Sequence, residues 1–282
     1  IELEKDTNTT RIVFLGGSST AGTGRNLPDE HTWPWQTVKK LHSEKHNLDF
    51  INAALGGYST FESYGRLWSN LRFYKPDVVI VYHGWNEMYY FNDISDEPIN
   101  WRSNFDIKGI VNSKKRYESH WADPLISWSQ LLTKVRIKLS KPYSINGEQS
   151  NENNNDNLKE TFNKKGLKVY EQNLNLITEF CKMYEIEFFI CKQATLINEN
   201  TKEEDKKRCK YEFHGFNHKA HIEAFDSIYK VIDKVIPKEN IIDLTSLSGN
   251  GRYFNDHIHQ TKLGNIKIAE IVAASLGSKL FK

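Results

Sequence analysis

A serine in a glycine turn is the first residue of the chain that has the setting of a reactive group. Ser18 lies in RIVFLGGSSTAG (residues 11–22), where four apolar residues are followed at once by Gly16 and Gly17. A turn between a buried strand and a helix places a small hydroxyl at the carboxyl edge of a sheet, where open α/β sheets keep their active sites. The free N–H groups at the start of the helix and the helix dipole also stabilise negative charge on a reacting oxygen. Ser18 is therefore a candidate nucleophile; the alternatives are a helix cap and a phosphate-binding turn.

A carboxylate and an imidazole near the C-terminus are the groups that could activate this serine. Asp256 and His259 are three residues apart in NDHIHQTKLGN, so both can lie on one face of a turn or opening helix. A carboxylate bonded to one ring nitrogen fixes the tautomer and leaves the other nitrogen to accept the proton of Ser18. The alternative for such a segment is a helix cap beside a surface histidine.

Two further residues at strand ends could stabilise a developing oxyanion. Gly57 follows the apolar stretch at residues 48–54, and Asn86 follows the stretch at 78–82. The N–H groups of Ser18 and Gly57 and the side-chain amide of Asn86 could point at one oxygen, and one such donor can contribute ~3–4 kcal/mol. Each residue alone is typical of a turn, but their joint occurrence at successive strand ends favours a catalytic site.

These positions presuppose strands that alternate with helices. Buried strands are predicted at residues 12–15, 48–54, 78–82, 187–191 and 240–244, and helices at 35–45, 60–73, from 167 onward, at 219–235 and at 263–276. Such alternation predicts a parallel sheet with right-handed crossovers, hence one α/β domain with three α/β/α layers over residues 1–282. Residues 88–165 are predicted to be an insertion after the third strand, with a flexible Asn/Glu-rich loop at 146–157. The insertion could cover the active edge, bind a partner or be a long crossover.

Composition excludes several classes of protein. The 282 residues are 38% hydrophobic and 26% charged with a net charge of +2, which argues against disorder and against nucleic-acid binding through a large positive field. The three cysteines have no metal-ligand spacing, and no cofactor motif is complete. His214, His218 and His221 could form a metal face, but surface or rim histidines are favoured. No apolar run spans a bilayer. Because the chain begins at Ile1, an upstream segment is expected to have been removed, which slightly favours an extracytoplasmic or membrane-anchored protein.

Four blocks of the sequence resemble the SGNH (GDSL-type) hydrolases. Residues 16–22 (GGSSTAG) are similar to the block that carries the nucleophilic serine, and residues 52–58 (NAALGGY) to the block that supplies an oxyanion glycine. Residues 84–87 (GWNE) match the block with the oxyanion asparagine, and residues 256–259 (DHIH) match the block with the orienting aspartate and the base. Two positions depart from the pattern, because Gly17 and Glu87 each stand where the family has aspartate.

The resemblance implies a flavodoxin-like fold with a five-stranded sheet and acyl-ester chemistry without a metal. Ser18, His259 and Asp256 would form the triad, and Ser18, Gly57 and Asn86 the oxyanion hole. The expected activity is hydrolysis of a small acyl ester, such as acetyl, on a small molecule or a carbohydrate. Trp33, Trp85, Tyr89 and Tyr90 have side chains that suit stacking on a sugar.

Three other functions remain open at this point. An O-acyltransferase acting on a sugar or polysaccharide would use the same triad, and a non-catalytic binding module would keep the same fold. A nucleotide-binding protein would use the turn at Gly16 for phosphate, although the glycine and lysine spacing of such proteins is incomplete. The loops expected to determine substrate specificity lie at residues 23–34, 88–165 and 194–220.

Overall fold

A parallel sheet forms the centre of the chain. The structure is a computed structural model that describes residues 2–6, 8–22, 27–42, 47–91, 129, 131–132, 135 and 158–280. Its strands are β1 (Thr10–Gly16), β2 (Leu48–Asn52), β3 (Val78–His83), β4 (Glu187–Lys192) and β5 (Ile241–Asp243). They lie in the order β2-β1-β3-β4-β5, and all neighbours are parallel. The predicted five-stranded parallel sheet is confirmed.

Helices follow the strands as predicted. They are α1 (Ser18–Ala21), α2 (Trp33–His42), α3 (Thr60–Ser69), α4 (Gly166–Met183), α5 (Glu203–Lys206), α6 (His218–Val235) and α7 (Lys262–Leu280). Short 3-10 turns lie at Asp29–His31, Leu71–Tyr74, Trp85–Phe91, Tyr211–Phe213, Lys238–Asn240 and Thr245–Leu247.

The central strands could be predicted from the sequence because their side chains are buried on both faces of the sheet. Residues 12–15 of β1 and 78–82 of β3 are almost completely buried, because helices cover both faces of the sheet. The edge strand β2 is only half-buried. Helix α2 packs against α7, whereas α4 packs against α3 and α6. With right-handed crossovers these two groups occupy opposite faces, which gives the three-layer sandwich.

Several element boundaries differ from the prediction; the helix predicted at 60–73, for example, ends at Ser69 and is followed by the 3-10 turn Leu71–Tyr74. Two of the differences have a clear local reason. Strand β2 ends at Asn52, two residues early, because the Asn52 side chain accepts a hydrogen bond from the Ala54 N–H (3.3 Å) and turns the chain. Helix α2 begins at Trp33, so that Trp33 rather than Trp35 joins the core: Trp33 is 0% exposed and Trp35 is 41% exposed.

The chain divides into two compact units, residues 1–93 with 158–282 and residues 94–157. The second unit falls within the predicted insertion, which lies almost wholly outside the described residues, as does the predicted loop at 146–157. The assignment of all 282 residues to one domain stays a prediction. In the described part of the chain, no helix is long and apolar enough to cross a membrane.

Candidate active site

The turn after β1 leaves the hydroxyl of Ser18 available for chemistry. Gly17 is the N-cap of α1 and makes no side-chain cap bond, and Ser18 is the first helical residue. The alternative that Ser18 caps this helix is therefore wrong, since Gly17, which has no side chain, holds the cap position. A Cβ at Gly16 would overlap the side chain of Thr20, so this close turn requires glycine.

Ser18, His259 and Asp256 lie in a hydrogen-bonded chain. The Nε2 atom of His259 is 2.8 Å from Ser18 Oγ, and its Nδ1 atom is 2.9 and 3.0 Å from the two carboxylate oxygens of Asp256. The side chains of His259 and Asp256 are 24% and 14% exposed, so a substrate can approach the imidazole while the carboxylate is largely covered. The structure thus brings together the three residues that the sequence selected.

The carboxylate of Asp256 is held in its charged form. Burial by itself opposes ionisation, but hydrogen bonds from the His259 imidazole and from the backbone N–H groups of His259 and Ile258 outweigh it, and the pKa of Asp256 falls well below its ordinary value. The backbone donors lie 2.8 and 3.0 Å from Asp256 Oδ1. A permanently charged carboxylate keeps the proton on Nδ1, so Nε2 faces Ser18 as an acceptor.

The segment that carries Asp256 and His259 is anchored to the rest of the sheet edge. The carbonyl of His257 accepts hydrogen bonds from Thr195 Oγ1 (2.8 Å) and the Leu196 N–H (3.0 Å), and Gln260 Nε2 donates to the Tyr82 hydroxyl (3.1 Å). These bonds join the loop to residues that follow β4 and to the end of β3. The imidazole is therefore positioned by the scaffold rather than by a free loop.

Asn86 lies directly against the Ser18 turn. Its Nδ2 atom donates to the Tyr58 carbonyl at 2.7 Å, which fixes the orientation of the amide and leaves its second N–H free to meet an oxyanion. An ideal Cβ placed on Gly17 would be only 2.6 Å from this Nδ2 atom and 3.2 Å from the Tyr58 carbonyl. The amide can approach because residue 17 is glycine.

Gly57 occupies the tip of the turn after β2. Its backbone has a φ of +82°, which a glycine adopts without strain, and the residue is exposed. The turn is tied to the nucleophile turn, since the Leu55 N–H donates to the Gly16 carbonyl (3.1 Å) and Asn52 Nδ2 donates to the Thr20 carbonyl (3.1 Å). The Gly57 N–H therefore belongs to the same sheet edge as Ser18, and its oxyanion role stays a prediction.

Comparison with known proteins agrees with this geometry. Residues 12–272 match the family model described as GDSL-like Lipase/Acylhydrolase. The chain belongs to this family. As a GDSL-like hydrolase it is a serine hydrolase of the esterase type, so the resemblance found in the sequence is confirmed. No curated protein sequence matches the chain significantly.

Solved structures share the fold of this GDSL-like hydrolase. The acetyl xylan esterase AlAXEase has a TM-score of 0.52 and 14% identity, over 94% of this chain and 99% of that one. The psychrotrophic esterase EstA from Pseudoalteromonas sp. has a TM-score of 0.51 and 14% identity, over 98% and 100%. The lipase/acylhydrolase from Enterococcus faecalis has a TM-score of 0.54 and 12% identity, over 96% of each chain. At these identities the similarity shows the fold.

Glu87, the second departure from the GDSL-type pattern, braces two blocks of the site. It is fully buried, and its oxygens accept hydrogen bonds from the Thr60 N–H (2.7 Å) and the Thr60 hydroxyl (3.0 Å) at the start of α3. Burial raises the pKa of Glu87 to about 8, although the hydrogen bonds from Thr60 oppose the shift. The longer side chain therefore ties the Asn86 turn to the helix that follows the Gly57 turn.

Replacing Glu87 by glutamine should change how stability depends on pH. Because the pKa of the folded carboxyl lies above its ordinary value of 4.5, its stabilising contribution is complete below pH 4.5 and is lost as pH rises through about 8. The loss amounts to about 1.4 kcal/mol for each pH unit between these values. Glu87→Gln cannot ionise, so its free energy of unfolding in urea should gain on that of the wild type from pH 5 to about pH 8 and level off above it. Glu179→Gln, on the exposed face of α4, is the control, and parallel curves for Glu87→Gln and wild type would refute the assignment.

A cluster of three buried histidines surrounds Trp85 beside the triad. The ring centroids of His257, His214 and His221 lie 4.1, 4.2 and 5.2 Å from that of Trp85. Burial lowers the pKa of all three imidazoles, to about 4 for His221 and His257, so they are uncharged at neutral pH. The expectation of surface or rim histidines is therefore wrong for His214 and His221, which are buried, whereas His218 is half-buried. In the described ranges, no group of three histidine, cysteine or acidic side chains could hold a metal ion.

The aromatic residues proposed for sugar stacking are mostly core residues. Trp33, Trp85 and Tyr90 are buried, and only Tyr89 of that set is half-buried. Sequence reasoning missed Phe213, which is 51% exposed, and Gln193, whose Oε1 accepts a hydrogen bond from the Trp85 N–H at 2.7 Å. Both lie in or beside a region with no readable periodicity, and no signal in the sequence points to them.

Proposed function

We propose that this GDSL-like hydrolase removes small acyl groups, acetyl in particular, from carbohydrate esters through a Ser18–His259–Asp256 triad. The observation that carries the catalytic part is the 2.8 Å contact between Ser18 Oγ and His259 Nε2, with Asp256 on the opposite ring nitrogen. This arrangement can activate a hydroxyl without a metal or cofactor.

The reaction has two steps, acylation of Ser18 and hydrolysis of the acyl-enzyme. His259 Nε2 takes the proton of Ser18 as Oγ attacks the ester carbonyl carbon, and the oxyanion is bound by the N–H groups of Ser18 and Gly57 and the Asn86 amide. The carbonyl–alcohol bond then breaks, and His259 returns the proton to the leaving alcohol. Water, deprotonated by His259, attacks the acyl-enzyme, and Ser18 leaves with a proton.

Two observations favour a short acyl group on a sugar. Within the described parts of residues 2–91 and 158–280, the loops at the carboxyl ends of the strands have Leu55 and Phe213 as their large apolar side chains that are more than a third exposed, which is little surface for a long acyl chain. The same fold is found in a protein described as an acetyl xylan esterase. Both features fit a small acyl group on a polar alcohol.

The expected preference is measurable with esters that differ only in the acyl chain. We expect kcat/KM for p-nitrophenyl acetate to exceed that for p-nitrophenyl octanoate by at least about tenfold, with butyrate between them, because each extra methylene must find apolar contact. Initial rates of p-nitrophenol release, with Ser18→Ala as the blank, give the series. A higher kcat/KM for octanoate would overturn the short-chain proposal and point to a lipid or thioester substrate.

The same assay separates hydrolysis from acyl transfer. Addition of xylose as an acceptor should leave one free acetate for each p-nitrophenol released if water is the acceptor. A shortfall of acetate matched by acetylated xylose would show that the chain is an O-acyltransferase with the same triad.

A further inference from the structure

An aromatic surface lies next to the triad on the side of His259. It consists of Trp85, Tyr89, Phe213 and His257, which we call the aromatic wall. The Phe213 ring centroid is 5.5 Å from Tyr89, 6.1 Å from Trp85 and 6.4 Å from His257. Trp85 and His257 are buried, Tyr89 is half-buried, and Phe213 is 51% exposed. Phe213 is therefore the member that presents most of the wall to solvent.

The wall is placed where the alcohol part of an ester must lie. The ring centroids of His257 and His259 are 6.2 Å apart, and His259 Nε2 faces Ser18 Oγ. In an ester cleavage the histidine protonates the oxygen of the leaving alcohol, so that oxygen has to reach Nε2. The rest of the alcohol then extends over neighbouring surface, and Phe213, whose ring centroid is 6.4 Å from that of His257, is an exposed aromatic part of it.

The chemistry of the wall suits a neutral ring. Burial lowers the pKa of His257 to about 4 and raises the pKa of Tyr89 to about 12, so both side chains are uncharged at neutral pH. A surface of neutral aromatic rings offers flat apolar contact and no charge to pair with a phosphate or carboxylate. The C–H face of a pyranose ring is flat and apolar in the same way, while its hydroxyls remain at the edge in water.

We infer that Phe213, supported by Tyr89, is the specificity-determining residue for the alcohol and forms a stacking platform for a pyranose ring. This inference rests on the proposed function, because it assigns the leaving alcohol to the His259 side of Ser18. Single exposed apolar side chains are common on protein surfaces. Phe213 differs from them in its ring contacts with the half-buried Tyr89 and with His257 beside the base.

The kinetic test keeps the acetyl group constant and varies the alcohol. The substrates are methyl tri-O-acetyl-β-xylopyranoside and ethyl acetate, and the variants are Phe213→Ala, Phe213→Tyr and the control Phe73→Ala. Phe73 is 56% exposed on the 3-10 turn Leu71–Tyr74. We expect the ratio of kcat/KM for the xyloside to that for ethyl acetate to fall about tenfold in Phe213→Ala, chiefly through KM. Phe213→Tyr and Phe73→Ala should keep the wild-type ratio, and an unchanged ratio in Phe213→Ala would overturn the inference.

A binding measurement separates failure of the inference from failure of the proposed function. Titration calorimetry of Ser18→Ala protein with the acetylated xyloside should give a Kd that rises about tenfold when Phe213→Ala is added. If the wild type shows no Ser18-dependent turnover of any ester, the proposed function is wrong, and this Kd comparison alone decides whether Phe213 holds a sugar. An equal Kd in the two proteins refutes the platform whatever the activity.

Discussion

Replacing Ser18 by alanine should lower kcat/KM for p-nitrophenyl acetate by at least about 10⁴-fold. The variant lacks the oxygen that forms the acyl-enzyme, and His259 has no proton to take, so only oxyanion binding and proximity remain. The fold should be kept, because the hydrogen bond of Ser18 Oγ is to the half-exposed His259 at 2.8 Å and not to the core. Initial rates and the thermal unfolding midpoint of both proteins measure the two parts of this expectation.

Ser19 provides the matched control for the loss of a hydroxyl in the same turn. Its Oγ donates to the Ile258 carbonyl at 3.4 Å, so Ser19→Ala removes one weak anchor of the histidine segment but no reacting atom. We expect Ser19→Ala to stay within about tenfold of the wild type. A phosphonate ester should add covalently to a Ser18 peptide of the wild type and of Ser19→Ala, as mass spectrometry detects. Normal turnover by Ser18→Ala, or a label on another residue, would disprove the nucleophile.

The strands were accessible to sequence reasoning because the centre of the sheet is buried on both faces. Residues 78–82 form an unbroken apolar run that ends at polar residues, and such a run is typical of a central parallel strand. The ends of elements were less accessible, as at Trp33 and Trp35. Trp35 lies three residues before Val38 and Trp33 lies eight before Leu41, so each tryptophan fits a different apolar stripe, and only the packing of α2 decides that Trp33 enters the core.

The contact of Ser18, His259 and Asp256 was predictable because the three residues sit in local patterns, whereas the contacts around them join distant parts of the chain. The hydrogen bond from Thr60 to Glu87 joins residues 27 positions apart, and the one from Asn86 to the Tyr58 carbonyl joins residues 28 positions apart. No local sequence pattern predicts either of them. His221 is different. It lies four and seven residues before Phe225 and Ile228, so it belongs to the buried stripe of α6, and the period of the helix would have placed it inside.

Replacing Asp256 by asparagine should lower kcat by about 10³- to 10⁴-fold, with little change in KM. In the wild type, Asp256 Oδ2 lies 2.9 Å from His259 Nδ1 and accepts a hydrogen bond from its N–H group. An amide NH₂ at that place donates instead, so the imidazole carries its proton on Nε2 and cannot take the proton of Ser18. The amide oxygen can still accept from the Ile258 and His259 N–H groups, so the segment should keep its conformation.

Asp256→Asn also distinguishes a carboxylate that acts through His259 from one that merely stabilises the loop. Asp226→Asn, on the exposed face of α6, is the control for the substitution itself. The rate of phosphonate labelling at Ser18 should fall with kcat in Asp256→Asn, because labelling also requires the histidine to take the serine proton. A purely structural role would lower the unfolding midpoint and leave the labelling rate of the folded fraction unchanged. Asp256→Asn protein that labelled and turned over at wild-type rates would reduce the triad to a Ser18–His259 pair, with the carboxylate needed only to shape the turn.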